Sequence, residues 1–172
     1  IEEATQVIRE FGNQELVLLH CISEYPATPE NQRLNNVLEL NKKFGLPVGL
    51  SDHTISPTAS IVATALGAVL IEKHFTNDRA DGGVDAAFSI NPQELREMVK
   101  YCSEASASLA QTGFTRPDGE EKNLIFRRSL YFAEDVKAGE KVTLENVRRV
   151  RPSFGMAPKH QKEIIGKTLK RD

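Results

Sequence analysis

Apolar residues in the first 112 positions alternate between two rhythms. Ile1, Ala4, Val7, Ile8 and Phe11 recur at helical spacing, and Gly12 follows as a stop signal. "ELVLLHC" (15–21) is then a short continuous apolar run, the pattern of a buried strand. Thr28-Pro29 predicts a helix start with proline at the first helical position. That helix carries Leu34, Val37, Leu38 and Phe44 and stops at Gly45. "PVGL" (47–50) predicts a second strand. Ser56-Pro57 opens another helix, with Ile61, Val62, Ala65 and Leu66 before Gly67. "AVLIEKHF" (68–75) predicts a third strand. Asn91-Pro92-Gln93-Glu94 has capping-box spacing ahead of Leu95, Met98, Val99, Cys102 and Leu109 on one helical face.

The order is α-βα-βα-βα, an α/β pattern. Strands apolar on both faces and alternating with helices imply a parallel sheet covered by helices. Three βα units alone leave exposed sheet edges, so the expectation is a piece of a larger barrel or doubly wound domain. Residues 111–126, "QTGFTRPDGEEKNLIF", are rich in Gly, Pro and charge and read as a linker. The texture then changes. "SLYFA" is strand-like, "KAGE" is a turn, and Thr143 is placed to cap one short turn of helix. Residues 127–172 therefore predict a small β-rich module, expected to be incomplete at Asp172.

Composition narrows the class. Hydrophobic residues make up 40% of the 172 and charged residues 27%, which excludes a disordered chain. No apolar run approaches the roughly 20 residues of a membrane helix, and "IEEATQVIRE" lacks the basic start and apolar core of a signal peptide. Cys21 and Cys102 have no CxxC spacing, so free, buried thiols in a reducing cytoplasm are expected. The net charge of −2 is unevenly spread: residues 127–172 hold twelve Lys/Arg against six Asp/Glu, and the rest holds ten against eighteen. This asymmetry supports two modules. Acidic residues are interleaved in the basic part and no aromatic stacking run accompanies it, which argues against nucleic acid.

The candidate chemistry lies just after the predicted strands. Cys21, Ser23 and Tyr25 follow the first, Ser51, Asp52, His53 and Thr54 the second, and Glu72, His74 and Thr76 end the third. In parallel α/β folds the carboxyl ends of the strands carry the site. Residues i and i+2 of a strand share a face, so Ser51 pairs with His53 and Glu72 with His74. On neighbouring strands, about 4.8 Å apart, the two imidazoles converge. Two histidines completed by water and substrate oxygens would suit a divalent ion such as Mn²⁺, with a flanking carboxylate to orient it. Against this, a histidine at a strand end is more often a hydrogen-bonded loop residue, and two ligands are not a diagnostic count. The connection from Thr76 to Asn91 is long, and such loops are often functional. Within it Asp85 could accept from sugar hydroxyls or be a solvated loop residue. Tyr25, before Pro26, fits packing or recognition, and Arg151 alone reads as a surface charge.

Seven stretches, in order, carry a resemblance: "LLHCISEYP", "PVGLSDHT", "IEKHFT", "GGVDAAFS", "RRSLY", "DVKAGE" and "RPSFG". Together they resemble the sialic acid (nonulosonic acid) synthases over essentially the whole chain. The resemblance implies the last three βα units of a (β/α)₈ TIM barrel over residues 1–110, the linker, and an antifreeze-like SAF domain over 127–172. It implies condensation of phosphoenolpyruvate with an amino-sugar aldehyde to give a nine-carbon acid and phosphate, in a domain-swapped homodimer. By the same resemblance His53 and His74 bind Mn²⁺ (or Mg²⁺), and Glu72 is an active-site carboxylate near the metal. Ser51 contacts phosphoenolpyruvate, and Ser23 stands where many members have Asn. Tyr25 and Asp85 lie at the sugar, and Arg151 reaches into the other subunit. "GGVDAAFS" and "RPSFGMAPK" are more similar to pseudaminic acid synthases, which points to a 6-deoxy-diacetamido hexose as acceptor over N-acetylmannosamine. The first five strands would be absent, so this chain alone is expected to be inactive. The rival readings are a metal-dependent barrel hydrolase and a non-enzymatic carbohydrate-binding module.

Overall fold

The computed structural model describes residues 1–172, which divide into units Ile1–Thr112 and Gly113–Asp172. In the first unit, α1 (Glu2–Glu10) precedes β1 (Leu18–Cys21), α2 (Asn36–Phe44), β2 (Val48–Asp52), α3 (Thr58–Ala65), β3 (Ile71–Lys73) and α4 (Pro92–Ser108). The strands form one parallel sheet in the order β1-β2-β3. Leu19 stands opposite Gly49, Cys21 opposite Ser51, and Ser51 opposite Glu72. Parity divides the side chains between two faces. Leu50 packs with Ala59 and Ala63 of α3, joined by Leu34, Ala68 and Ile71, so its face is the helix-covered one. Leu19, Cys21, Gly49, Ser51, Leu70 and Glu72 share the other face. There Leu19 and Leu70 remain 37% and 44% exposed. Gly49 is required beneath them: a Cβ would meet the Leu70 carbonyl oxygen at 2.5 Å and Leu19 Cδ2 at 2.6 Å.

The expected α-βα-βα-βα order holds, with one correction. Thr28-Pro29 does not start the long helix. Pro29–Asn31 is a single 3₁₀ turn, Thr28 makes no side-chain cap, and α2 begins only at Asn36. Arg33 lies between them with φ 46°, a left-handed backbone that no right-handed helix can pass through. The capping box at α4 forms as predicted. Asn91 accepts from the amides of Gln93 and Glu94 at 3.0 Å each, and Glu94 accepts from the Asn91 amide at 2.9 Å.

In the second unit, α5 (Asp118–Glu121) and a 3₁₀ turn over Lys122–Phe126 occupy the stretch read as a linker. β4 (Ser129–Phe132) and β5 (Val147–Val150) pair antiparallel, and α6 (Gln161–Ile164) follows. Leu130, Val142 and Val147 form the core, with Ile164, Ile165 and Leu169 against it. Thr143 accepts from the amides of Glu145 and Asn146 at 3.2 Å each, but what it caps is a turn and not the expected turn of helix. No helix is long and apolar enough to cross a membrane.

Candidate metal and substrate site

The sheet register brings the predicted polar residues together at the carboxyl ends of β2 and β3. Ser51 Oγ donates to Glu72 Oε1 at 2.7 Å across the strand pair. Two residues on, the rings of His53 and His74 lie 5.2 Å apart, centroid to centroid. His53 is buried, and its Nδ1 donates to the Ile22 carbonyl at 2.8 Å. A carbonyl can only accept, so Nδ1 carries a proton, and in the neutral ring the lone pair is on Nε2. The backbone repeats this link, because the Ala27 amide donates to the His53 carbonyl at 2.9 Å. His74 Nδ1 lies 3.4 Å from Asp85 Oδ2, without a hydrogen bond between them.

Aromatic contacts fix the rest. Tyr25 packs on His53 at 4.2 Å and meets His74 edge-on at 5.9 Å. Phe88 lies 5.5 Å from Tyr25 and 5.1 Å from His74. Ser23 is exposed nearby, its Oγ 3.9 Å from Cys21 Sγ. Arg151 is exposed in the second unit, directly after β5, and like Tyr25 it precedes a cis proline. Both cysteines are free, but neither is buried as expected: Cys21 is exposed on the uncovered face and Cys102 is half-buried on α4.

His53 and His74 are the two imidazoles at this end of the sheet. No cluster of three or more His, Cys, Asp or Glu is placed to hold an ion. Two imidazoles, of which His53 has a hydrogen-bond partner on Nδ1, would leave the remaining positions of an ion to water or substrate.

Behind the site lies a group that the sequence reading missed. Asp52 and Lys73, opposite one another in the register, form an ion pair at 3.0 Å with side chains 0% and 2% exposed. Asp52 also accepts from the Thr54 amide at 2.8 Å, the Thr54 hydroxyl at 2.7 Å and the Ser60 hydroxyl at 2.6 Å. Lys73 donates in addition to the Thr54 carbonyl. A signal was present: the parity that puts Glu72 and His74 on one face puts Lys73 on the helix-covered face, where a charge needs a partner. Phe88 carried no such signal, since its position depends on how the long connection folds. That connection is anchored by Arg79, which donates to Glu94 at 3.0 and 2.6 Å and to the Ser89 carbonyl at 3.1 Å. The guanidinium, followed by the Asn91 amide, holds the Glu94 carboxyl below its ordinary value of 4.5.

A family model described as the NeuB family matches residues 1–113, about two thirds of the chain, and a SAF domain model matches 127–172. The chain belongs to the NeuB family. Among NeuB relatives, a pseudaminic acid synthase of Campylobacter jejuni is 40% identical over 167 residues, covering 97% of this chain and 49% of that protein. An N,N'-diacetyllegionaminic acid synthase of Legionella pneumophila is 36% identical over 156 residues, covering 90% and 44%. The crystal structure of an N-acetylneuraminic acid synthetase from Leptospira borgpetersenii in complex with citrate superposes with a TM-score of 0.64 at 31% identity, over 72% of this chain and 43% of that one. The chain thus spans about half the length of the NeuB relatives it matches.

Proposed function

We propose that this chain supplies the last three βα units of a (β/α)₈ barrel and a SAF domain to a nonulosonic acid synthase. The whole protein would condense phosphoenolpyruvate with an amino-sugar aldehyde. The observation that carries this reading is the convergence of His53, His74, Ser51 and Glu72 at the carboxyl ends of adjacent parallel strands, in a chain whose relatives are synthases of such acids. The uncovered sheet face and the half-length coverage support a barrel completed by further strands.

In this reading His53 and His74 would hold Mn²⁺, with Mg²⁺ as a substitute, through their Nε2 atoms. The ion would supply Lewis-acid polarisation of the aldehyde oxygen. Ser51 contacts phosphoenolpyruvate, and its bond to Glu72 fixes both side chains. Ser23 lies toward the phosphate. Tyr25 and Asp85 line the sugar end, where Asp85 lies 3.4 Å from His74 Nδ1. The enol carbon attacks the aldehyde carbon, water adds at the resulting oxocarbenium centre, and phosphate leaves by C–O cleavage. Arg151 is assigned to the sugar's acylamino group in the other subunit of a domain-swapped dimer, which closes the site against bulk water. The preferred acceptor is a 6-deoxy-diacetamido hexose, in keeping with the pseudaminic acid synthase relatives. A cytoplasmic location suits a phosphoenolpyruvate-dependent reaction.

The test is phosphate release from phosphoenolpyruvate by the full-length gene product, with each candidate sugar and with or without Mn²⁺. Release only with an amino sugar, abolished by chelator and by H53Q/H74Q, is expected. Release without sugar, or none under any condition, would overturn the proposal.

A further inference from the structure

We infer that Asp52 and Lys73 are positioning residues that set the spacing of the two histidines. The inference rests on the proposed role of His53 and His74 as metal ligands. Each charged residue immediately precedes one histidine in the chain, on the opposite face of its strand. The β2–β3 register ends at Asp52 opposite Lys73. Past that point no strand pairing ties His53 to His74. The ion pair is therefore the last cross-strand link before the two rings.

The Lys73 ammonium does more than meet Asp52. It also donates to the Thr54 carbonyl, so it grips the residues on both sides of His53. Its own next residue is His74. One side chain thereby fixes the backbone of both candidate ligands. Asp52 is in turn held by Thr54 and by Ser60 of α3, so the tie is braced against the helix layer. Bulk stability does not account for the pair. A buried ion pair is often matched or bettered by apolar residues of similar volume, whereas specifying one geometry is a use such pairs can serve.

Mn²⁺ binding to the full-length gene product, followed by the paramagnetic resonance of free Mn²⁺, tests this alongside thermal unfolding. D52N/K73M removes both charges and keeps an amide for Ser60 and Thr54. It is expected to unfold cooperatively yet bind Mn²⁺ about 10- to 100-fold more weakly, as loss of outer-sphere support does at metal sites. A milder variant, Ser60→Ala, loosens Asp52 without removing a charge and should weaken binding less, at near wild-type melting temperature. If both variants, or Ser60→Ala alone should the double variant not fold, bind as tightly as wild type while H53Q/H74Q does not bind, the positioning role is wrong and the ligand reading stands. If H53Q/H74Q binds like wild type, the ligand reading itself fails and the positioning role with it.

Discussion

At the residue scale, the most buried carboxylate is fully partnered. Asp52 takes three hydrogen bonds and an ion pair inside a three-stranded sheet. Lys73→Met leaves that carboxylate buried without its counter-charge and should cost about 3–5 kcal/mol of stability, measured by denaturant unfolding. The D52N/K73M double variant should recover much of the loss. His53, His74, Ser51 and Glu72 were legible in the sequence because strand parity needs only a count of two. The Asp52–Lys73 pair follows from the same count, but recognising it requires knowing which face the helices cover. The Ile22 carbonyl that fixes the His53 tautomer was beyond reach, since a backbone atom leaves no mark on residue identity.

At the element scale, local chemistry decided what could be read. Asn91 and Glu94 satisfy each other's backbone donors, so the start of α4 was visible from four residues. Thr28-Pro29 offered similar letters without a reciprocal partner, and the left-handed Arg33 separates it from α2. Gly49 makes a sharper case. Gly49→Ala pushes a methyl into the β3-side backbone and should destabilise the first unit by about 1–3 kcal/mol, seen as a lower denaturation midpoint. The Arg79–Glu94 clamp ties the 76–91 connection to α4. Glu94 is held below its ordinary 4.5, so the clamp's contribution is full above that value and fades as pH falls through the lowered folded value. Limited proteolysis within 76–91 should stay constant from neutral pH down to that window and rise below it. An Arg79→Gln variant should be cleaved faster already at neutral pH.

At the scale of the whole molecule, the sheet has a finished face and an unfinished one. Leu50 is sealed beneath α3, while Leu19 and Leu70 look outward on the other side. Produced alone, the 172-residue chain should associate at rising concentration, read by light scattering, and release no phosphate from phosphoenolpyruvate with any sugar; turnover by this chain would overturn the proposed need for further strands. The chain divides at Thr112/Gly113, ahead of the change of charge and texture near residue 127. The uncovered face was implied by three lone βα units, although which residues would line it depended on register. One small feature reaches further. The segment from Ile22 to Ala27 closes on His53 twice, once through the ring and once through its carbonyl. The Ala27 amide is thus a built-in gauge of that imidazole. Its hydrogen exchange in the full-length gene product should slow when Mn²⁺ is added and not when Mn²⁺ is added to H53Q/H74Q, so occupancy at the histidines can be followed from a backbone proton that never touches the ion.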